Sequence, residues 1–129
     1  MPENTRPENT QREFAPLTYD HVWDTVERLR AWLDANGRRT GQDAVLLRVL
    51  KLSEEVGEVA EAVIGATGQN PRKGESHSWQ DVEAELCDVV VTALVALRTL
   101  TPDAPEVFAA HLRKVAERSL IGQVPPPGR

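Results

Sequence analysis

The chain has almost no sulfur and few aromatic rings. Cys87 is its single cysteine, so no intrachain disulfide can form and nothing points to an oxidising compartment. It has three tryptophans, one tyrosine and two phenylalanines, too few for an extended aromatic stacking surface. There is no basic surplus. The net charge of −5 argues against a broad nucleic-acid face, because binding phosphates at scale requires a positive surface. Apolar runs stay well below the roughly 20 residues of a membrane span, and the polar start MPENTRPENTQREF has no apolar signal core. The expectation is a cytoplasmic protein with no membrane and no nucleic-acid partner.

What remains is an ordinary globular composition, 40% hydrophobic and 27% charged over 129 residues, enough for one domain with a core. PENT occurs twice near the start, in a polar stretch, and VPPPGR closes the chain. Residues 1–16 and 121–129 therefore read as flexible tails around a domain at 17–120.

Within the domain the apolar spacing is helical. Val22, Val26, Leu29 and Leu33 mark a first helix from Thr18 to about Asn36, stopped by Gly37. A second helix runs from about Asp43 to Ile64, with Gly65 as its stop. A third starts at Ser78, where Ser78 and Asp81 have the spacing of a capping box, and ends near Leu100 before Pro102. A fourth runs from Asp103 to about Arg118. No segment reads as a strand. The expected fold is all-α, an antiparallel four-helix arrangement.

The second helix carries KLSEEVGEVAEA at 51–62, with Glu54, Glu55, Glu58 and Glu61 crowded together. Residues three and four apart share a helix face, and each exposed like-charge pair costs roughly 0.2–0.5 kcal/mol. The third helix reads AELCDVVVTALVALRTL over 84–100, apolar nearly all round and hence central. Glu85 and Asp88 share one of its faces. Antiparallel packing of the two helices brings Glu55 and Glu58 opposite Glu85 and Asp88. Four converging carboxylates repel unless they take up protons or a cation. An all-oxygen set suits a hard ion, Mg²⁺ or Mn²⁺, which shares its shell with substrate phosphates. A solvated helix face is the competing reading, and for Glu61 it is equally good.

The pattern Glu-Glu-x-x-Glu at 54–58, then 26 residues, then Glu-x-x-Asp at 85–88, resembles the MazG-type all-α nucleoside triphosphate pyrophosphohydrolases. That group is similar to dimeric dUTPases, dCTP pyrophosphatases and phosphoribosyl-ATP pyrophosphohydrolases. KLSEEVGEVAEAV and DVEAELCDVVVTAL resemble the two central helices, and the helix order matches over roughly 20–118. The resemblance implies Mg²⁺-dependent hydrolysis of a nucleoside triphosphate to monophosphate and pyrophosphate. It implies metal ligation by Glu55, Glu58, Glu85 and Asp88, with Glu54 orienting the attacking water. It further implies a homodimer or a homotetramer.

One feature departs from the family. The last helix reads HLRKVAERSL at 111–120 and lacks the Lys-x-x-x-Asn element of many members. Lys114 and Arg118 stand in as phosphate contacts, joined by Lys51 and by Arg72 and Lys73 of the 65–78 loop, for which a solvated loop is the alternative. The departure leaves open a non-catalytic helical module of the same fold, and phosphoribosyl-ATP hydrolysis is a third reading. Asn70 is a candidate base contact. Trp32 or Trp79 would stack on a base if not used in packing, and Cys87 reads as packing. Gly57 would permit close helix approach. No Glu-x-x-His occurs, which argues against a ferritin-like di-iron bundle.

Overall fold

The computed structural model describes residues 16–120, so the expected tails at 1–16, save residue 16, and at 121–129 lie outside the described residues. Four helices follow one another: α1 (Tyr19–Asn36), α2 (Gly41–Thr67), α3 (Trp79–Leu100) and α4 (Ala104–Leu120). No strand occurs among the described residues. The all-α reading and the helix order hold.

Local chemistry sets the helix ends. The Thr18 hydroxyl accepts from the His21 N–H at 3.2 Å and starts α1. Ser78 and Asp81 form the reciprocal capping box: Asp81 N–H donates to Ser78 Oγ, and Ser78 N–H donates to Asp81 Oδ2. That second bond holds the Asp81 carboxyl below the usual range. The end of α2 differs from the sequence expectation. Gly65 does not stop the helix but lies buried inside it, and α2 continues to Thr67. The stop is Gly68, in the left-handed conformation at φ 62°, which costs glycine little.

α3 is the hub and touches each of the other three helices. Its pairing with α2 is antiparallel. Arg48 meets Thr99 near one end, and Glu55 and Glu58 meet Glu85 towards the other. At the α1 end, Trp23, Val26, Val95 and Ala104 form the buried cluster, with Leu33, Leu94, Leu97 and Phe108 packed around it. Trp23 stands edge-on to Tyr19, and the Tyr19 hydroxyl donates to the Pro105 carbonyl at 2.6 Å, tying α1 to α4.

Ion pairs and hydrogen bonds tie α1, α2 and α3 together. Arg98 on α3 reaches Glu27 on α1 at 2.7 Å. Arg48 on α2 donates to Asp34 on α1 at 2.7 Å and to Thr99 on α3 at 3.2 Å. Hydrogen bonding from Arg30, with Arg98 nearby, holds Glu27 below its ordinary value, and Arg48 does the same for Asp34.

α3 is central but not enclosed. Leu86, Val90, Val91 and Leu100 remain substantially exposed, and no large side chain among the described residues is fully buried. Three neighbours cannot cover a helix that is apolar on every side.

Candidate metal centre

α2 and α3 meet where both are acidic. Glu55 and Glu58 are one turn apart on α2, and Glu85 faces them from α3. One carboxylate oxygen from each lies within 4.8 Å of the others. Glu55 is only 9% exposed. Oε2 of Glu55 and Oε2 of Glu85 are both buried and accept no hydrogen bond. Leaving a buried polar group unsatisfied costs on the order of 1–3 kcal/mol, and more for a charged one. The repulsion shows in Glu58: the neighbouring Glu55 carboxylate, then loss of hydration, then Glu85 push its carboxyl above the ordinary value.

Among the described residues, one cation pairs with these carboxylates. Lys51, one turn earlier on α2, places Nζ 3.2 Å from Glu54 Oε2 and 3.4 Å from Glu55 Oε1. The Glu54 hydrogen bond raises the Lys51 pKa, so the ammonium stays charged. It does not reach the orphaned Oε2 atoms. The donor set is oxygen alone, anionic and convergent, with buried lone pairs and no partner. That chemistry fits a hard divalent cation held by Glu55, Glu58 and Glu85.

The other expected site residues are distributed differently. Asp88 follows Glu85 by one turn, is exposed, and lies outside the three-carboxylate group. Glu54 is exposed and bound to Lys51. Arg72 is exposed, and its backbone N–H donates to Asn70 Oδ1. Lys73 lines a cavity of about 380 Å³ between α2 and the following loop. Lys114 and Arg118 line a separate hollow on α4 with His111 and Glu117. Trp23 is core, whereas Trp32 and Trp79 are exposed. Trp32 walls a cleft of about 200 Å³ with Leu29, Val91 and Lys51. Cys87 is exposed rather than packed, because it lies on the open side of α3 with Leu86 and Val90.

Two features escaped the sequence reading. Arg48 stitches three helices together, but its partners Asp34 and Thr99 lie far off in sequence, so no local pattern announces it. The 380 Å³ cavity is floored by Gly57, Ala60, Glu61 and Gly65. Gly57 is not there for helix contact, since a Cβ would meet nothing within 4 Å. The run of small residues at 57, 60 and 65 was the available signal.

These features define the class: an all-helical protein whose two longest helices present carboxylates to one another, a set that could hold a metal ion. The family model of the MazG nucleotide pyrophosphohydrolase domain matches residues 45–120, which takes in α2 from Val45 onward, α3, and α4 to its last residue. The chain belongs to that family. No curated protein and no solved structure matches it.

Proposed function

We propose that the protein is a Mg²⁺-dependent nucleoside triphosphate pyrophosphohydrolase, with Mn²⁺ as the alternative ion. The observation that carries this reading is the pair of buried, partnerless oxygens on Glu55 and Glu85 beside Glu58, inside the segment that matches the family. Glu55, Glu58 and Glu85 would hold the cation, with exposed Asp88 as a further ligand from α3. The bound ion supplies charge neutralisation and Lewis acidity at phosphoryl oxygens.

The chain's own residues do the rest. Glu54 accepts a hydrogen bond from the attacking water and takes its proton, while Lys51 holds Glu54 in place. The water oxygen bonds to the α-phosphorus, and the bond from that phosphorus to the bridging oxygen breaks. The monophosphate and pyrophosphate leave. Lys51 and Lys73 flank the phosphates, with Arg72 at the loop rim. Lys114 and Arg118, on their own face of α4, serve a phosphate only if a second subunit brings that face to the centre.

The exposed apolar side chains support a homodimer or homotetramer. Leu46, Leu47 and Leu50 on α2, Val90 on α3 and Leu112 on α4 each stand about half exposed, apolar surface that a partner subunit would cover. The substrate class is tested by incubating the protein with ribo- and deoxynucleoside triphosphates and with phosphoribosyl-ATP. Pyrophosphate and monophosphate in equal amounts from at least one nucleoside triphosphate support the reading. Binding without turnover would instead favour a non-catalytic module.

A further inference from the structure

A cavity between α2 and the following loop begins at Gly57, next in the chain to Glu58, and of its lining only Lys73 was used in the chemistry above. Its floor is one stripe of α2, from Gly57 beside Glu58, through Ala60 and Glu61, to Gly65. Its wall is the loop, with Asn70, Lys73 and His77. The volume, about 380 Å³, falls within the range of small-molecule sites, about 300–1,000 Å³.

The loop is fixed to α2, so the cavity is a built feature. Ser76 N–H donates to the Gly65 carbonyl at 3.2 Å, and Gln69 N–H to the Ile64 carbonyl at 3.3 Å. Lys73 and Gly74 N–H groups both donate to the Asn70 carbonyl. Gly65 allows the close seating, because a Cβ there would lie 2.1 Å from His77 Nδ1.

The polar groups facing this space are unspent. Asn70 Oδ1 is taken by Arg72 N–H, which leaves its amide N–H groups to donate. Glu61 forms no ion pair among the described residues, and neither does Lys73. Glu61 is acceptor-only, so its natural partners are O–H or N–H donors. It lies three residues beyond Glu58, about 4.5 Å further along the helix axis. That step is of the order separating a nucleotide's phosphate from its sugar hydroxyls. Beyond Glu61 the cavity continues for about one more turn towards Gly65, room for the base.

We propose that the cavity between α2 and the loop is the nucleoside end of the substrate site, and that the Glu61 carboxylate accepts hydrogen bonds from the ribose hydroxyls, so that the enzyme prefers ribonucleotides to 2′-deoxyribonucleotides. Asn70 Nδ2 donates to the base edge. The inference rests on the pyrophosphohydrolase reading for its catalytic consequence, but it makes a binding prediction of its own. A hydroxyl bonded to a charged acceptor is worth about 10–100-fold in discrimination against an analogue without it.

The test compares each ribonucleoside triphosphate with its deoxy counterpart by kcat/KM. It also compares the corresponding monophosphates by calorimetry, in wild type and Glu61→Ala. The wild type favours the ribo form by about 10–100-fold in both measurements. Glu61→Ala brings the ratio towards one by weakening the ribo form more than the deoxy form. Gly57→Leu, whose side chain would enter the cavity, weakens both forms alike while melting no lower than wild type. Equal treatment of ribo and deoxy forms by the wild type, or a preference that survives Glu61→Ala, overturns the proposal, as does unimpaired binding in Gly57→Leu. If no triphosphate is hydrolysed, the enzymatic reading fails, and the monophosphate binding alone decides for or against the cavity.

Discussion

Glu58 concentrates the physics of the site in one side chain. It stands between Glu55 on its own helix and Glu85 on the next, and their charge holds its proton to higher pH than an ordinary glutamate. The folded, metal-free chain therefore binds more protons than the unfolded chain as pH rises above the ordinary glutamate value. Its stability falls through that interval. A divalent cation reverses the effect by replacing the protons. Thermal melting should show Mg²⁺ raising Tm at neutral pH, with the increment shrinking as pH drops and protons compete for the same oxygens. A Mg²⁺ increment that does not depend on pH would place the ion elsewhere. Glu58→Gln removes one ligand and one charge. It should raise Tm in the absence of metal and abolish the Mg²⁺ increment.

At the scale of the element, α2 and α3 with the loop between them form the working unit. Their type and order were legible because their signals are local: period-3.6 apolar spacing, a Ser78–Asp81 capping box, and Pro102 after the end of α3. Three of the four expected carboxylates, Glu55, Glu58 and Glu85, do converge, and Glu85 was legible because it is out of place on an apolar helix; Asp88 lies outside the group. The end of α2 was not legible. Gly65 looks like a stop, but its missing side chain serves the loop, and the left-handed turn falls at Gly68. Sequence alone does not say whether a glycine is wanted for its φ angle or for the room it leaves. The two positions should separate experimentally. Gly68→Ala forces an alanine to φ 62° and should cost about 1 kcal/mol by denaturant melts. Gly65→Ala creates a clash with His77, worth about 1–3 kcal/mol, and adding His77→Ala should recover much of that loss. Equal costs with no recovery would mean that the loop is not seated on Gly65.

The whole molecule has an incomplete core. Its buried cluster is small, drawn from Trp23, Val26, Val95 and Ala104, while leucines and valines on α2, α3 and α4 face outward. The sequence pointed to a central α3, and α3 is indeed the hub. Its open side was not legible, because periodicity records that a face is apolar and not which chain covers it. Light scattering on the purified protein should give a dimer or tetramer. Leu50→Arg on the exposed apolar face of α2 should shift it towards monomer and lower Tm. A wild-type protein that is monomeric at micromolar concentration would leave that apolar surface without an explanation.

The central claim is that the convergent carboxylates hold the ion on which triphosphate hydrolysis depends. Its most direct test is a Mg²⁺ titration of pyrophosphate release from the preferred nucleoside triphosphate, run side by side for wild type and Glu58→Gln. The wild type should release pyrophosphate and monophosphate in equal amounts, saturably in Mg²⁺. The variant should lose at least about 100-fold in turnover, the scale of effects at metal-assisted phosphoryl centres. Undiminished pyrophosphate release by Glu58→Gln, or release that persists with the metal removed by chelation, would contradict the account.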